Sequence, residues 1–246
     1  MSLYLEQDFL SNVELYYTPP KYVTNKSISL SGDEFLHAFK VMRNNVNDEL
    51  FSTDGEGNIY KSKIERINKE FAELDILEIK KYNNLLSNIT LYIPNLKNSD
   101  RFEFALEKCV ELGIINFVVY NSDRTFSKGF KKERLEKIIL AAMKQSLRSF
   151  LPKIDFLDAL NNYKSNNNTV LLDQSSSKSL YDFFYELKVN NNNEQYNLII
   201  GPEGGFSNRE YGKFTESNKL QLSLNRLRSE TACIVSASLL NKVFEN

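Results

Sequence analysis

The stretch IIGPEGGFS, residues 199–207, sets Gly201, Gly204 and Gly205 around a carboxylate, Glu203, directly after an apolar run. Glycine-rich loops after strands commonly hold phosphates, because backbone N–H groups come close and the next helix presents its positive end. This loop does not suit that ligand. Glu203 occupies the place of the second glycine of a GxGxxG fingerprint, and no GK[ST] follows for a Walker A loop. Ser207 and Glu210 have the S-x-x-E spacing of a capping box, which satisfies the helix start internally and leaves less of its positive end to an anion. The loop fits a ligand that is neutral or cationic at this point and held by backbone groups. The plainer alternative is a tight strand-to-helix turn with Glu203 in solvent.

A second stretch, LSLNRLRSETA (222–232), also leads from a short strand into a helix. Arg226 and Arg228 flank Leu227, and Glu230 stands two residues beyond Arg228, so a guanidinium and a carboxylate meet at a helix entrance. Taken alone they are equally an ordinary surface ion pair, worth under about 1 kcal/mol. Other catalytic chemistries lack their residues. His37 is the single histidine and Cys109 and Cys233 are the two cysteines, too few for a His/Cys zinc site, so no metal is expected. A Ser-His-Asp arrangement would depend wholly on His37, which is better explained as a packing or hydrogen-bonding residue.

These loops need a sheet to present them, and the residues from about 89 onward supply one. ITLYI, IINFVVY, TVLLD, YNLII and KLQLSL read as strands separated by helix-length amphipathic segments, the pattern of a parallel sheet covered on both faces. Ser99 is the expected N-cap of a helix reaching Leu112, with Phe102, Leu106 and Cys109 on one face and Gly113 at its stop. A further helix is expected over 131–149, with Leu135, Ile138, Ile139, Ala142 and Leu147 apolar, ended by Pro152. Residues 27–80 instead alternate as short strands (SISL, ELFSTDGEGNIYKSKI, FAELDILEI), with a glycine turn at 54–58. One helix over GDEFLHAFKVMR would pack Phe35, Leu36, Phe39 and Met42 on that sheet. The asparagine-rich stretches at 161–168 and 190–193 read as solvated loops.

Composition excludes little but is consistent. At 41% hydrophobic and 26% charged residues the chain is an ordinary soluble type, and no apolar run nears the roughly 20 residues that span a bilayer. MSLYLEQDFL lacks the basic and apolar regions of a secretory signal, and two distant cysteines suggest a reducing cytoplasm. The net charge of −1 hides an asymmetry: residues 1–80 hold 9 Lys/Arg against 14 Asp/Glu. Residues 121–153 hold 9 basic groups against 3 acidic, with Phe126, Phe130 and Phe150 interleaved, a pattern that could follow a phosphate backbone or form a solvated helix face.

In this order and at this spacing, IGPEGGFS and LSLNRLRSETA resemble motifs of the small-subunit ribosomal RNA uracil-N3 methyltransferases, of the SPOUT class. HAFKVMRNNVNDELFSTDGEGNIY, EKCVELGI, Arg124 and KQSLRSFLP fall where that family has its other signatures, so the resemblance spans nearly the whole chain. It implies an N-terminal PUA-like β-barrel RNA-binding domain over residues 1–80 and an α/β trefoil-knot (SPOUT) methyltransferase domain over 81–246. It implies S-adenosylmethionine as cofactor, held by Ile200, Gly201, Pro202, Gly204, Gly205, Leu222, Leu224 and Leu227. Glu203 and Glu230 are then candidate bases for the uracil N3 proton, and Arg228 a stabiliser of charge on the uracil carbonyls. Arg43, Arg124 and Arg148 become RNA contacts, with small-subunit ribosomal RNA or the assembled subunit as partner, a homodimer as the assembly and a cytoplasmic location. The sequence departs from the family pattern at Ser223 (Gly), Asn225 (Arg), Arg226 (Ile) and Met42 (Leu), and Asn47-Asp48 lacks the Gly of a Gly-Asp turn. These departures leave two alternatives: another RNA base or ribose 2′-O methyltransferase of the same class, or a non-catalytic RNA-binding assembly factor.

Overall fold

The alternation between residues 49 and 81 becomes three antiparallel strands, β3 (Glu49–Thr53), β4 (Asn58–Ile67) and β5 (Phe71–Lys81). The computed structural model describes residues 13–125, 129–164 and 168–245. The readings placed on MSLYLEQDFL, Phe126 and the centre of the 161–168 stretch fall outside the described residues. The chain divides into two units, one of Met1–Asn84 with Met143–Leu151, the other of Leu85–Ala142 with Pro152–Asn246.

In the first unit β1 (Leu15–Tyr17) pairs parallel with β3, and β2 (Ser27–Ser31) pairs antiparallel with β5, giving the order β1-β3-β4-β5-β2. Register shifts after Lys61 and Ile64 mark irregularities of the bulge kind, which bend a strand and increase its twist. Alternate residues of these strands, among them Ile28, Leu30, Ile64 and Leu74, fill the core with Tyr16 and Phe35. The turn at 54–58 is organised by Asp54, whose carboxylate accepts from the Glu56 N–H, the Asn58 side chain and the Tyr60 hydroxyl. Gly57 has φ +98, and a Cβ there would meet the Phe150 ring at 2.6 Å. That approach is how residues 143–151 join this unit, with the Ser149 carbonyl accepting from Gly57 N–H and Thr53 Oγ1.

The expected helix over GDEFLHAFKVMR is only partly α-helical. After α1 (Gly32–Leu36) the chain widens into a π-helical turn over His37–Val41. The wider turn rotates the apolar stripe: Phe35 and Ala38 are buried and Phe39 packs beside them, but Leu36 and Met42 are about half exposed. His37 lies against Tyr16, with ring centroids 5.8 Å apart and the rings tilted by 53°, as a packing residue.

The second unit has a six-stranded, wholly parallel sheet in the order β11-β9-β10-β6-β7-β8. Its strands are β6 (Ile89–Pro94), β7 (Asn116–Tyr120), β8 (Lys153–Leu157), β9 (Thr169–Leu172), β10 (Tyr196–Ile199) and β11 (Lys219–Leu220). The central strands are buried, as apolar runs in a sheet covered on both faces must be. Two differences from the sequence reading sit at the edges. β8 follows Pro152 and carries Asp155 in its middle, a half-exposed edge strand without an apolar run to announce it. KLQLSL keeps only Lys219 and Leu220 as strand before the chain turns away.

The α-helices of this part of the chain are α2 (Ser99–Glu111), α3 (Lys132–Gln145), α4 (Leu180–Val189), α5 (Asn208–Tyr211) and α6 (Ser229–Glu245). The cap of α2 is Asn98, one residue before Ser99, because its side chain accepts from the Arg101 N–H at 3.0 Å. Phe102, Leu106 and Cys109 are buried as expected. α3 stops at Gln145; Leu147 lies beyond it with φ +54 and packs in the first unit. Phe130 packs on Phe156 at 4.9 Å, and Arg134 is held by both oxygens of Glu103, so part of the basic-aromatic stretch serves packing and ion pairing.

Candidate functional site at the carboxyl ends of the parallel strands

Loops from β9, β10 and β11 converge where their strands end, the ligand side of an open parallel sheet. β10 delivers the glycine loop. The Ile200 N–H donates to the Tyr92 carbonyl at 3.0 Å, and its own carbonyl accepts from the Tyr120 hydroxyl, so the loop leaves the sheet from a fixed point. Pro202 to Gly205 then form a turn closed by the Gly205 N–H on the Pro202 carbonyl at 2.9 Å, with Gly205 at φ +69. Gly204 is required for a different reason: a Cβ would lie 3.1 Å from Cβ of Arg124, whose Nη1 donates to the Gly204 carbonyl at 3.0 Å.

The loop closes on the expected capping box. Ser207 Oγ accepts from the Glu210 N–H, and the Glu210 carboxylate accepts from the Ser207 N–H at 2.8 Å. Glu210 is fully buried and also accepts from Ser122 Oγ and the Asp123 N–H, so the start of α5 is tied to the loop after β7. Asp123 in turn receives Ser207 Oγ and pairs with Arg209 at 2.6 Å. The Arg209 guanidinium and the Ser207 hydroxyl hold the Asp123 carboxyl down at about 2.

The second loop lies beside the first. Gln174, after β9, donates to the Leu224 carbonyl and accepts from Gln221. Ser223 Oγ accepts from the Asn225 N–H at 3.1 Å, a local tie that the family's glycine could not make. Ser229 Oγ donates to the Gly201 carbonyl at 2.7 Å, so the entrance of α6 is hydrogen-bonded to the glycine loop itself. Glu230 follows, its side chain 13% exposed, with Oε1 at 3.7 Å from Arg101 Nη1 and 4.0 Å from Arg228 Nη1. Its Oε2 is buried and has no hydrogen-bond partner among the described residues.

Between the loops is a cavity of about 780 Å³. Of the residues expected to act here, Ile200, Gly201, Pro202, Glu203, Gly205, Leu222, Leu227, Arg228 and Glu230 line it. Gly204 and Leu224 do not line it, and Leu224 is 84% exposed. Arg124 holds the glycine turn from behind, while Arg43 and Arg148 belong to the first unit. The sequence reading did not single out Ser229, Asp173, Tyr211 or Arg101, all of which line the cavity. Asp173 closes the strand segment TVLLD, and its position at a parallel strand's carboxyl end was the available signal. Burial pulls its carboxyl upward, but hydrogen bonds from the Tyr211 hydroxyl and Ser175 outweigh that and hold it below the ordinary value. Burial raises the Cys233 thiol, helped by Glu230, and leaves it un-ionised beneath the site.

The lining suits a nucleoside-like ligand with an apolar body and charges of both signs. Ile200, Pro202, Leu222 and Leu227 give apolar walls, and Asp173, Glu203 and Glu230 line a cavity of ordinary cofactor size together with Arg101, Arg226 and Arg228. A ligand that carries a sulfonium or ammonium and also a carboxylate would find partners of either sign in that lining. Among the described residues no group of His, Cys, Asp and Glu is placed to hold a metal ion.

Comparison with known proteins agrees with this arrangement. A family model described as an RNA methyltransferase domain matches residues 83–241, and one described as an RNA methyltransferase PUA domain matches residues 30–77. The ribosomal RNA small subunit methyltransferase E of Aquifex aeolicus is 31% identical over 203 residues, 78% of this chain and 85% of the relative. A putative methyltransferase from Legionella pneumophila, solved with S-adenosylmethionine bound, superposes with a TM-score of 0.77 at 25% identity, covering 94% of this chain and 97% of that one. A ribosomal RNA small subunit methyltransferase E from Neisseria gonorrhoeae, also solved with S-adenosylmethionine, has a TM-score of 0.79 at 23% identity over 94% and 98% of the two chains.

Proposed function

The chain belongs to the ribosomal RNA small subunit methyltransferase E family of S-adenosylmethionine-dependent RNA methyltransferases, and from that premise we propose that it methylates N3 of a uridine in small-subunit ribosomal RNA. The fold is that of the class, an α/β trefoil-knot (SPOUT) unit with an N-terminal PUA-like unit. The observation that carries the proposal is the meeting of Arg228, Glu230 and the glycine loop at one cavity.

When bound, S-adenosylmethionine supplies an electrophilic methyl on a sulfonium, and the carbon–sulfur bond breaks with its electrons left on sulfur as uracil N3 forms the new bond. Ile200, Leu222 and Leu227 would pack on its nucleoside part, with the loop backbone at Gly201 and Gly205 beside its polar edges. N3 carries a proton that must leave, and two carboxylates compete to accept it. Glu203 stands exposed on the turn, where water already solvates it. Glu230 is nearly buried and its Oε2 has no hydrogen-bond partner among the described residues, so that oxygen is open to accept a proton, which makes Glu230 the better-placed general base. Arg228, mostly exposed and loosely paired, can turn to neutralise charge developing on the uracil carbonyls.

N3 lies on the Watson–Crick edge, so the target uridine must be unpaired. Arg43 and Arg148 on the PUA-like unit and Arg124 behind the glycine turn are the proposed RNA contacts. A homodimer is part of the proposal, supported by the exposure of Leu224 at the cavity's edge, which a second chain would cover; sedimentation of the chain as a monomer would remove it. Among the described residues no helix is long and apolar enough to cross a membrane, and the proposed location is the cytoplasm. Methyl transfer to assembled small subunits and to naked RNA, followed by nucleoside analysis, tests the reading. Product in the form of 3-methyluridine is expected, with assembled subunits the better substrate; 2′-O-methylated or differently methylated nucleosides would contradict it.

A further inference from the structure

Arg101 comes from α2, far upstream of both ligand loops, yet it lines the same cavity. It lies in the first turn of its helix, where its own N–H is the donor to the Asn98 cap. A cation at that end is opposed by the helix dipole, so its helix does not explain it. Its nearest charge does. Arg101 Nη1 stands 3.7 Å from Glu230 Oε1, and Arg228 Nη1 stands 4.0 Å from the same atom. Both distances are too long for hydrogen bonds, so the carboxylate is held between two cations without being locked to either.

The two arginines differ in freedom. The Arg228 side chain is 69% exposed and that of Arg101 46%, while that of Glu230 is only 13% exposed. If Arg228 turns to the substrate, as the functional reading above requires, a nearly buried carboxylate loses one of its two counter-ions at the moment it must act. Taking that reading as given, we infer that Arg101 is a positioning residue that acts through Glu230: it holds the carboxylate in place while Arg228 serves the substrate. A direct contact of Arg101 with an RNA phosphate is the competing role, since its side chain is partly exposed.

The test compares Arg101→Ala, Arg101→Lys, Glu230→Gln and the double variant Arg101→Ala/Glu230→Gln by single-turnover methyl transfer. RNA KM, and cofactor Kd by calorimetry, are measured alongside. Arg101→Ala is expected to slow the step about tenfold while Kd and KM stay within about twofold, and Arg101→Lys to regain most of the rate, because a point charge suffices. In the Glu230→Gln background the same Arg101→Ala change should alter the rate less than about twofold, the non-additivity of residues that act as a unit. An equal loss in both backgrounds, or a raised RNA KM at unchanged rate, overturns the inference and makes Arg101 a phosphate contact. If Glu230→Gln itself keeps the full rate, the base assignment falls and Arg101's role with it; a slow Glu230→Gln with an additive Arg101→Ala removes the Arg101 inference alone.

Discussion

The two loops that wall the cavity differ in how their polar groups are used. Where the glycine loop enters α5 the buried carboxylate of Glu210 accepts from three donors, and the glycine turn is pinned by Arg124 and closed on itself. At the entrance of α6 the nearly buried carboxylate, Glu230, has two guanidinia in reach, neither at hydrogen-bond distance, and one oxygen with no partner among the described residues. A satisfied buried network rigidifies what it touches, and an unsatisfied one stores a demand that a ligand can meet. The first loop is built to hold a shape; the second is the one we propose reacts.

Replacing these groups in turn should separate the two roles. The largest effect on stability is expected from Glu210→Ala, which leaves Ser122 Oγ and the N–H groups of Asp123 and Ser207 without their acceptor and should cost on the order of 3 kcal/mol, read by urea unfolding. A stable Glu210→Ala variant with ordinary cofactor binding would erase the contrast. Arg228→Ala should leave unfolding and cofactor affinity nearly unchanged and lower methyl transfer about tenfold to a hundredfold; collapsed affinity with unchanged turnover would place Arg228 on the cofactor instead. Ser229→Ala removes the hydroxyl that donates to the Gly201 carbonyl, and about 1 kcal/mol of loop positioning should appear as a several-fold weaker cofactor Kd in calorimetry.

The smallest effect concerns pH. The folded Asp123 carboxyl is depressed to about 2, so its contribution is fully present above the ordinary carboxylate value and is lost only as pH falls through about 2. Asp123→Asn should therefore change the pH dependence of stability only on the acid side of the ordinary carboxylate value. A difference in slope between pH 5 and 8 would contradict that.

The same contrast explains what could be read from the sequence. The glycine loop was legible because its chemistry is local: the S-x-x-E capping box lies within four residues and formed as expected. So was the Arg228–Glu230 pair, two residues apart. Features decided by distant packing were not legible. Arg101 reaches Glu230 only because α2 and α6 pack together, and residues 143–151 leave the end of α3 to meet the glycines at 55 and 57. The π-helical turn at 37–41 exposed Leu36 and Met42 against the periodicity of their segment, and β8 had only alternating, half-exposed residues to mark it.

The division between a holding loop and a reacting one is tested most directly by Glu230→Gln, with cofactor Kd from calorimetry and single-turnover yield of 3-methyluridine on assembled small subunits measured on the same preparation. The account predicts a Kd within a few-fold of the unaltered chain and a loss of about a hundredfold or more in the methyl-transfer rate. A Glu230→Gln variant that forms 3-methyluridine at the full rate would contradict it.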